Sequence, residues 1–290
     1  MLIVLEGLDA CGKHTQAMKL SERLTNEGIQ NKTISFPDYG SDSSKPVSMF
    51  LKGEINDDNP YAISTLYAMD RYISYITKWK QYCKNNVIIA DRYTTSNIVH
   101  QMPKLPINEQ TDYIFWLYDT EYTLYGLPEP DIIIYLSQDI STTEKLLNKR
   151  YNGDTNKRDM NERNIEYLKN CKDTIERYIK GTDTDSELKW SVVYNDVYDE
   201  ATGEYILRNP NEITDEIFNI VYEKSAMFQM KIFIDNYNNR NKTQYKLYDA
   251  SKCGLYDLVN LLPDEKPKNK RPLEFNIDEI TNEYFDEFDD

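Results

Sequence analysis

The chain has 290 residues, 49 acidic against 34 basic, and a formal charge of −15. That length holds one large domain or two modest ones with a substantial core, and so acidic a balance argues against a nonspecific binder of nucleic acid. The four cysteines (Cys11, Cys83, Cys171, Cys253) form no CxxC pair and the histidines are only His14 and His100, which excludes a His-rich zinc site.

The thiols read as free, in a reducing compartment. The N-terminal apolar run is too short for a membrane span and lacks the basic flank of a signal peptide. The expectation is a soluble cytoplasmic protein that engages no membrane.

Leu2–Gln16, LIVLEGLDACGKHTQ, opens with an apolar run of strand length, turns between glycines and enters a helical pattern. Its spacing, Gly7-x-x-x-x-Gly12-Lys13, is that of a phosphate-binding loop between a buried strand and a helix N-terminus. Successive backbone N–H groups and the positive end of the helix cradle an anion there, and Lys13 adds a point charge for the β/γ-phosphates of a nucleotide. Where a Ser or Thr ordinarily contacts Mg²⁺ the chain has His14, with Thr15 one place on. The simpler reading of His14 is a solvated or packed residue of the first helical turn.

Thr15–Glu27 is predicted as a helix stopped by Gly28, Lys32–Phe36 as a second strand closed by Pro37, and Lys45–Lys52 as a short helix. Asn59-Pro60 starts a long helix running to about Tyr82. Val87–Ala90 reads as a third strand, Asn108–Leu124 as a helix, Ile132–Leu136 as a fourth strand and Ser141–Arg150 as the next helix. Tyr151–Asn164 is polar, with cations crowded around Gly153; Glu166–Lys180, Trp190–Val193 and Glu212–Glu223 follow as helix, fifth strand and helix. Apolar strands alternating with helices imply an α/β fold, a parallel sheet covered on both faces, with ligands beyond the strand C-terminal ends. From about Ala226 periodicity weakens, Pro263–Pro272 reads as a linker, and Glu274–Asp290 is acidic and aromatic without Lys or Arg.

Five segments in order carry a family resemblance: EGLDACGKHTQ, FPDYGSDSSKPVSMFLKGE, Leu66–Arg71 (LYAMDR), Asp91–Gln101 (DRYTTSNIVHQ) and Leu127–Asp131 (LPEPD). Together they resemble the thymidylate kinases, over roughly Met1–Lys224, leaving 225–290 as a C-terminal extension of unknown role. The resemblance implies a three-layer P-loop nucleoside monophosphate kinase fold with a five-stranded parallel sheet and a lid at about 150–164. It implies transfer of the ATP γ-phosphoryl to dTMP, with Mg²⁺ accompanying ATP, and a homodimer.

It also implies roles. Gly7, Leu8, Asp9, Ala10, Cys11, Gly12, Lys13, His14 and Thr15 would hold ATP, with Arg150 against adenine and Arg158 reaching the phosphates. Arg92 would bridge the donor and acceptor phosphates. Asp91 would orient a Mg²⁺-bound water, with Thr15 as a second metal contact, and Asp9 would sit by the acceptor 3′-hydroxyl. Phe36, Pro37, Tyr39 and Lys45 would line the acceptor side, Tyr67 and Arg71 would stack on and hydrogen-bond the base, and Ser96 and Gln101 would face its edge. Bland alternatives stand beside these: an ordinary ion pair for Arg92, helix core for Tyr67, a solvated charge run for Arg150 and Arg158. Tyr39 occupies a position where many family members carry Arg, which shifts the acceptor-phosphate charge onto Lys45 and Arg92. An acceptor such as dUMP or a modified pyrimidine, or a nucleotide-binding module without catalysis, are the competing functional readings.

Overall fold

The computed structural model describes residues 1–83, 86–182 and 190–224. The expectations placed on 225–290, the linker and the acidic-aromatic end, lie outside the described residues. Residues Met1–Val221 form one compact unit.

Five strands, β1 (Leu2–Gly7), β2 (Asn31–Ser35), β3 (Val87–Asp91), β4 (Ile132–Ser137) and β5 (Trp190–Tyr194), form a parallel sheet in the order β2-β3-β1-β4-β5. The central strands are apolar because both of their faces are covered. Val4, Ile88, Ala90 and Ile133 face a cluster completed by Tyr93, Tyr113, Leu117 and Leu168, while Ile3, Leu5, Ile89 and Ile134 face one completed by Leu20, Ile217 and Val221. The helices are α1 (Lys13–Asn26), α2 (Lys45–Leu51), α3 (Pro60–Ser74), α4 (Thr95–His100), α5 (Gln110–Tyr118), α6 (Ile140–Arg150), α7 (Ile165–Thr182) and α8, over 210–224.

Four differences from the sequence reading stand out. The long helix after Pro60 leaves α geometry at Ser74, continues as a π-helical turn over Tyr75–Trp79, and ends in a 3₁₀ turn. Asn108–Leu124 divides likewise, with a 3₁₀ turn over Ile107–Glu109 before α5 and a π-helical turn over Asp119–Leu124 after it. Periodicity near 3.6 cannot separate these forms, and π turns recur at functional sites. Thr95–His100 was read as part of a motif and proves to be helical and wholly buried. A hairpin, β6 (Asp196–Asp199) with β7 (Glu204–Leu207), was not anticipated.

The order places β1 between β3 and β4, so the chain crosses to opposite sides of β1 and a crevice opens where the first loop leaves the sheet. No helix among the described residues is long and apolar enough to cross a membrane. Cys11, Cys83 and Cys171 are free.

Candidate active site

The loop after β1 is built for close approach. Ala10 and Gly12 both take positive φ, 62° and 80°, which turns successive N–H groups toward a common concavity. A Cβ on Gly7 would lie 2.6 Å from the Cys11 Sγ and 2.7 Å from the Leu136 carbonyl oxygen, so only glycine fits. Leu8 and Cys11 are buried beneath the loop, and Asn195 Nδ2, just past β5, donates to the Cys11 carbonyl at 2.6 Å. The buried Lys13 ammonium donates to the Leu8 and Gly7 carbonyls at 2.5 and 3.1 Å.

A second cation meets the same loop. Arg92 follows β3 with a positive φ of 69°, its backbone N–H donating to Leu5 O at 3.1 Å. Its guanidinium is ion-paired with Asp9, donates to the Gly7 carbonyl at 3.4 Å, and donates to His100 Nε2 at 2.9 Å. Burial raises the Asp9 carboxyl, but Arg92, with further cations, outweighs it and holds the group well below the usual carboxylate range. Burial likewise favours neutral Arg92, and Asp9, Glu6 and Asp91 more than reverse that. His100 is pushed down to about 3 by burial and by Arg92, so the imidazole is neutral and its Nε2 accepts.

Two buried carboxylates support this turn. Glu6, in β1, accepts from the Tyr93 backbone N–H at 3.1 Å, Thr95 Oγ1 at 2.6 Å and Ser96 Oγ at 2.7 Å. Burial raises its pKa. Glu121 takes Arg71 as a bidentate partner, at 2.7 Å to Nε and 2.6 Å to Nη2, and accepts from Thr94 Oγ1 at 2.8 Å. Arg71 Nη1 also donates to the Tyr93 carbonyl at 3.3 Å.

These contacts revise several expected roles. The Ser96 hydroxyl is turned to Glu6, because a buried carboxylate needs donors more than an exposed base edge does. Arg71 is first an internal ion-pair partner; the bonds above use three of its five N–H groups. Lys45 is exposed and pairs with the still more exposed Asp42 at 2.7 Å. Arg158 is buried with its Nη2 on Asn148 Oδ1 at 2.6 Å, which ties it to α6. Arg150 is half exposed and meets Glu162 at 3.2 Å.

The other positions differ in burial and partners. Phe36 is buried, its ring 6.0 Å from that of Tyr93, and the Phe36–Pro37 bond is cis. Tyr39 is exposed, with its N–H on the Pro37 carbonyl at 2.8 Å. Tyr67 is half-buried on α3 and burial raises its phenol. Gln101 is 1% exposed and its Oε1 has no hydrogen-bond partner.

Sequence reasoning missed Glu6, His100, Glu121 and Asp70. Asp70 accepts from the Asp38 N–H at 2.7 Å and the Ser43 hydroxyl at 2.5 Å, fixing the loop after β2. The available signal was chemical: a lone acid in the apolar LIVLEG strand must be partnered.

The donor set for a divalent cation differs from expectation. Asp91 ends β3 and Leu5 is its register partner in β1, so its carboxylate lies beside the start of α1. The residue facing it there is His14, whose Nδ1 is 3.5 Å from Asp91 Oδ2. Thr15, expected as a metal contact, is exposed. A carboxylate oxygen with phosphate oxygens suits Mg²⁺, so Asp91 fits the ion that the family generally uses with ATP, while His14 contributes a nitrogen that Mg²⁺ does not favour.

Comparison with known proteins agrees with this geometry. A family profile for thymidylate kinase matches residues 5–188. The thymidylate kinase of Mycobacterium tuberculosis is 33% identical over 141 residues, covering 47% of this chain and 65% of that protein, just under two thirds of its length. The probable thymidylate kinase of Methanococcus maripaludis is 29% identical over 223 residues, covering 77% of this chain and 95% of that protein. Among solved structures, thymidylate kinase from Candida albicans superposes with a TM-score of 0.56 at 22% identity, covering 77% of this chain and 92% of that one, a likeness of fold. With a crevice at the switch point of a five-stranded parallel sheet and a profile match across most of it, the chain belongs to the thymidylate kinase family.

Proposed function

We propose that the chain transfers the γ-phosphoryl of ATP to dTMP, giving dTDP, by in-line displacement. One observation carries this reading. Lys13 and Arg92, from loops after neighbouring strands, donate to the same carbonyl oxygen, that of Gly7, at 3.1 and 3.4 Å. Phosphoryl transfer brings two polyanions together and spreads charge over equatorial oxygens, so paired cations at one point are what the chemistry requires.

In this reading the loop N–H groups and Lys13 bind the ATP phosphates, and Arg92 spans from them to the acceptor phosphate. Lys45 being exposed, Arg92 takes the larger share of that charge. Asp9 exchanges its bond to Arg92 for the acceptor 3′-hydroxyl. Tyr67 stacks on the base, Arg71 offers it the N–H groups left over from Glu121, and the unpartnered buried Oε1 of Gln101 accepts a base N–H. Glu6 and His100 position Arg92 and touch no substrate. The lid, with Arg150 at its start, excludes water that would otherwise accept the phosphoryl group. A divalent ion bound with ATP, Mg²⁺ in the family's usual form, would be held by Asp91 and offsets phosphate charge.

The test is ADP formation from ATP–Mg²⁺ across a panel of deoxynucleoside monophosphates. Turnover is expected with dTMP and with weaker acceptors among the pyrimidines. A well-folded preparation with no dTMP-dependent turnover would overturn the proposal, and preference for dUMP would move the acceptor. A homodimer, a kinase unit ending near residue 224 and a cytoplasmic location belong to the same proposal. Light scattering of the purified chain tests the first.

A further inference from the structure

We propose that His14 and Asp91 together form the nucleotide-metal seat of this chain, and that they make it prefer Mn²⁺ to Mg²⁺. The inference rests on the phosphate-loop reading above. Its novelty lies in the ligand set.

Three observations lead to it. The second residue of α1, where a phosphate-binding loop ordinarily presents a hydroxyl to Mg²⁺, is an imidazole whose Nδ1 lies 3.5 Å from Asp91 Oδ2. That separation is less than twice a metal–ligand bond of about 2.1 Å, so one cation can be bonded to both atoms. The Asp91 side chain is 13% exposed, and among the described residues its carboxylate has no other side-chain hydrogen bond. His14 is 76% exposed and among the described residues has no hydrogen bond that fixes its ring, which leaves it free to turn a nitrogen toward a cation on the loop.

The choice of ion follows from donor chemistry. Mg²⁺ demands oxygen ligands and keeps its waters. Mn²⁺ shares the preference for carboxylate and phosphate oxygens but, as a first-row transition ion, accepts a nitrogen ligand at less cost than Mg²⁺, which demands oxygens. Histidine is also the commonest protein metal ligand, through neutral imidazole. Thr15, also exposed, stands one residue beyond the position where a phosphate-binding loop ordinarily presents its hydroxyl.

The experiment uses the full chain with its histidines labelled with the heavy nitrogen isotope, Mn²⁺ and ADP. Pulsed electron paramagnetic resonance then reads hyperfine coupling between the metal and the label. Coupling is expected in the wild type and lost in His14→Ser, which retains the buried His100 as an internal control. Competition of Mg²⁺ against Mn²⁺ for the ADP complex is expected to shift by about tenfold toward Mg²⁺ in His14→Ser. Absence of coupling in the wild type overturns the seat, and His14–Asp91 is then an ordinary surface pair. Coupling with an unchanged Mn²⁺/Mg²⁺ ratio overturns the selectivity. Coupling without dTMP turnover under either metal keeps the seat and sinks the kinase reading instead.

Discussion

The strand-end site and the segment 150–164, proposed above as the lid, both contain arginines, yet they are held in opposite ways. At the strand ends the partners are distant in sequence and enclosed: Arg92 with Asp9, 83 residues apart, and Glu6 with Ser96, 90 apart. In the lid they are local. Glu162 collects Arg150, the Tyr151 hydroxyl at 2.7 Å and the Asp159 N–H at 3.2 Å, and Arg163 donates to the Arg158 and Asn156 carbonyls at 2.8 Å each. One backbone bond, Met160 N–H to Leu51 O at 3.2 Å, ties the lid to α2. A network anchored in the sheet cannot yield without disturbing the core, whereas a locally bonded segment moves as a unit. The contrast suits a reaction with a fixed charge centre and a cover that opens for exchange.

Variants should separate the two regions. The largest effect is expected from Arg92→Ala, with kcat/KM for dTMP falling at least about a thousandfold, some 4 kcal/mol of transition-state stabilisation, measured by coupled ADP release. Next is Glu6→Ala, which strands the Tyr93 N–H and the Thr95 and Ser96 hydroxyls and is expected to cost roughly 3 kcal/mol of stability in denaturant unfolding. Glu6→Gln should recover part of this, since an amide oxygen still accepts. Arg150→Ala, in the lid, should raise KM for ATP only a few-fold and leave thermal stability nearly unchanged, because a half-exposed pair contributes little. If Arg150→Ala proved as damaging as Arg92→Ala, the division between fixed centre and cover would be wrong.

At neutral pH neither region's titration is expressed in full, and the two regions should respond to pH with opposite sign. His100 in the folded protein lies at about 3 against an ordinary 6.5. Its depressed value means the stabilisation of the neutral ring is fully present above pH 6.5 and drains as pH falls toward 3, at up to roughly 1.4 kcal/mol per pH unit. His100→Gln should flatten that acid limb in urea unfolding curves. Asp159, in the lid, is raised from 3.8 to about 6 by burial and by the Asp9 charge. Its contribution runs the other way, present below pH 3.8 and lost as pH rises through about 6. Hydrogen exchange of the lid amides should therefore slow from pH 7 to pH 5 once corrected for intrinsic rates, and Asp159→Asn should remove the change.

Much of the fold and half of the site were legible because they depend on local pattern. Apolar runs marked four of the five strands, β2 (NKTIS) being the polar exception, and Gly7, Gly12 and Lys13 marked the loop by spacing alone. Arg92 and Asp9 could be named because each sits in a short motif. What escaped was pairing across long separations: nothing in LIVLEG says that Glu6 meets Ser96, and nothing in LYAMDR says that Arg71 meets Glu121 rather than a ligand. The sequence likewise did not show that Ser96 bonds Glu6 or that Arg158 bonds Asn148. The π turns after Ser74 and Tyr118 were hidden because a one-residue change of winding leaves the apolar spacing almost intact.

The central claim is that Arg92, fixed among Gly7, Asp9 and His100, acts on the transferring phosphoryl group. The most direct test is single-turnover formation of dTDP from ATP and saturating dTMP, in rapid-quench experiments on the wild type and Arg92→Ala. The rate of the chemical step is predicted to collapse in the variant while ATP binding, followed by calorimetry, stays within a few-fold. An unchanged single-turnover rate at saturation would contradict the account and make Arg92 a structural ion-pair partner only.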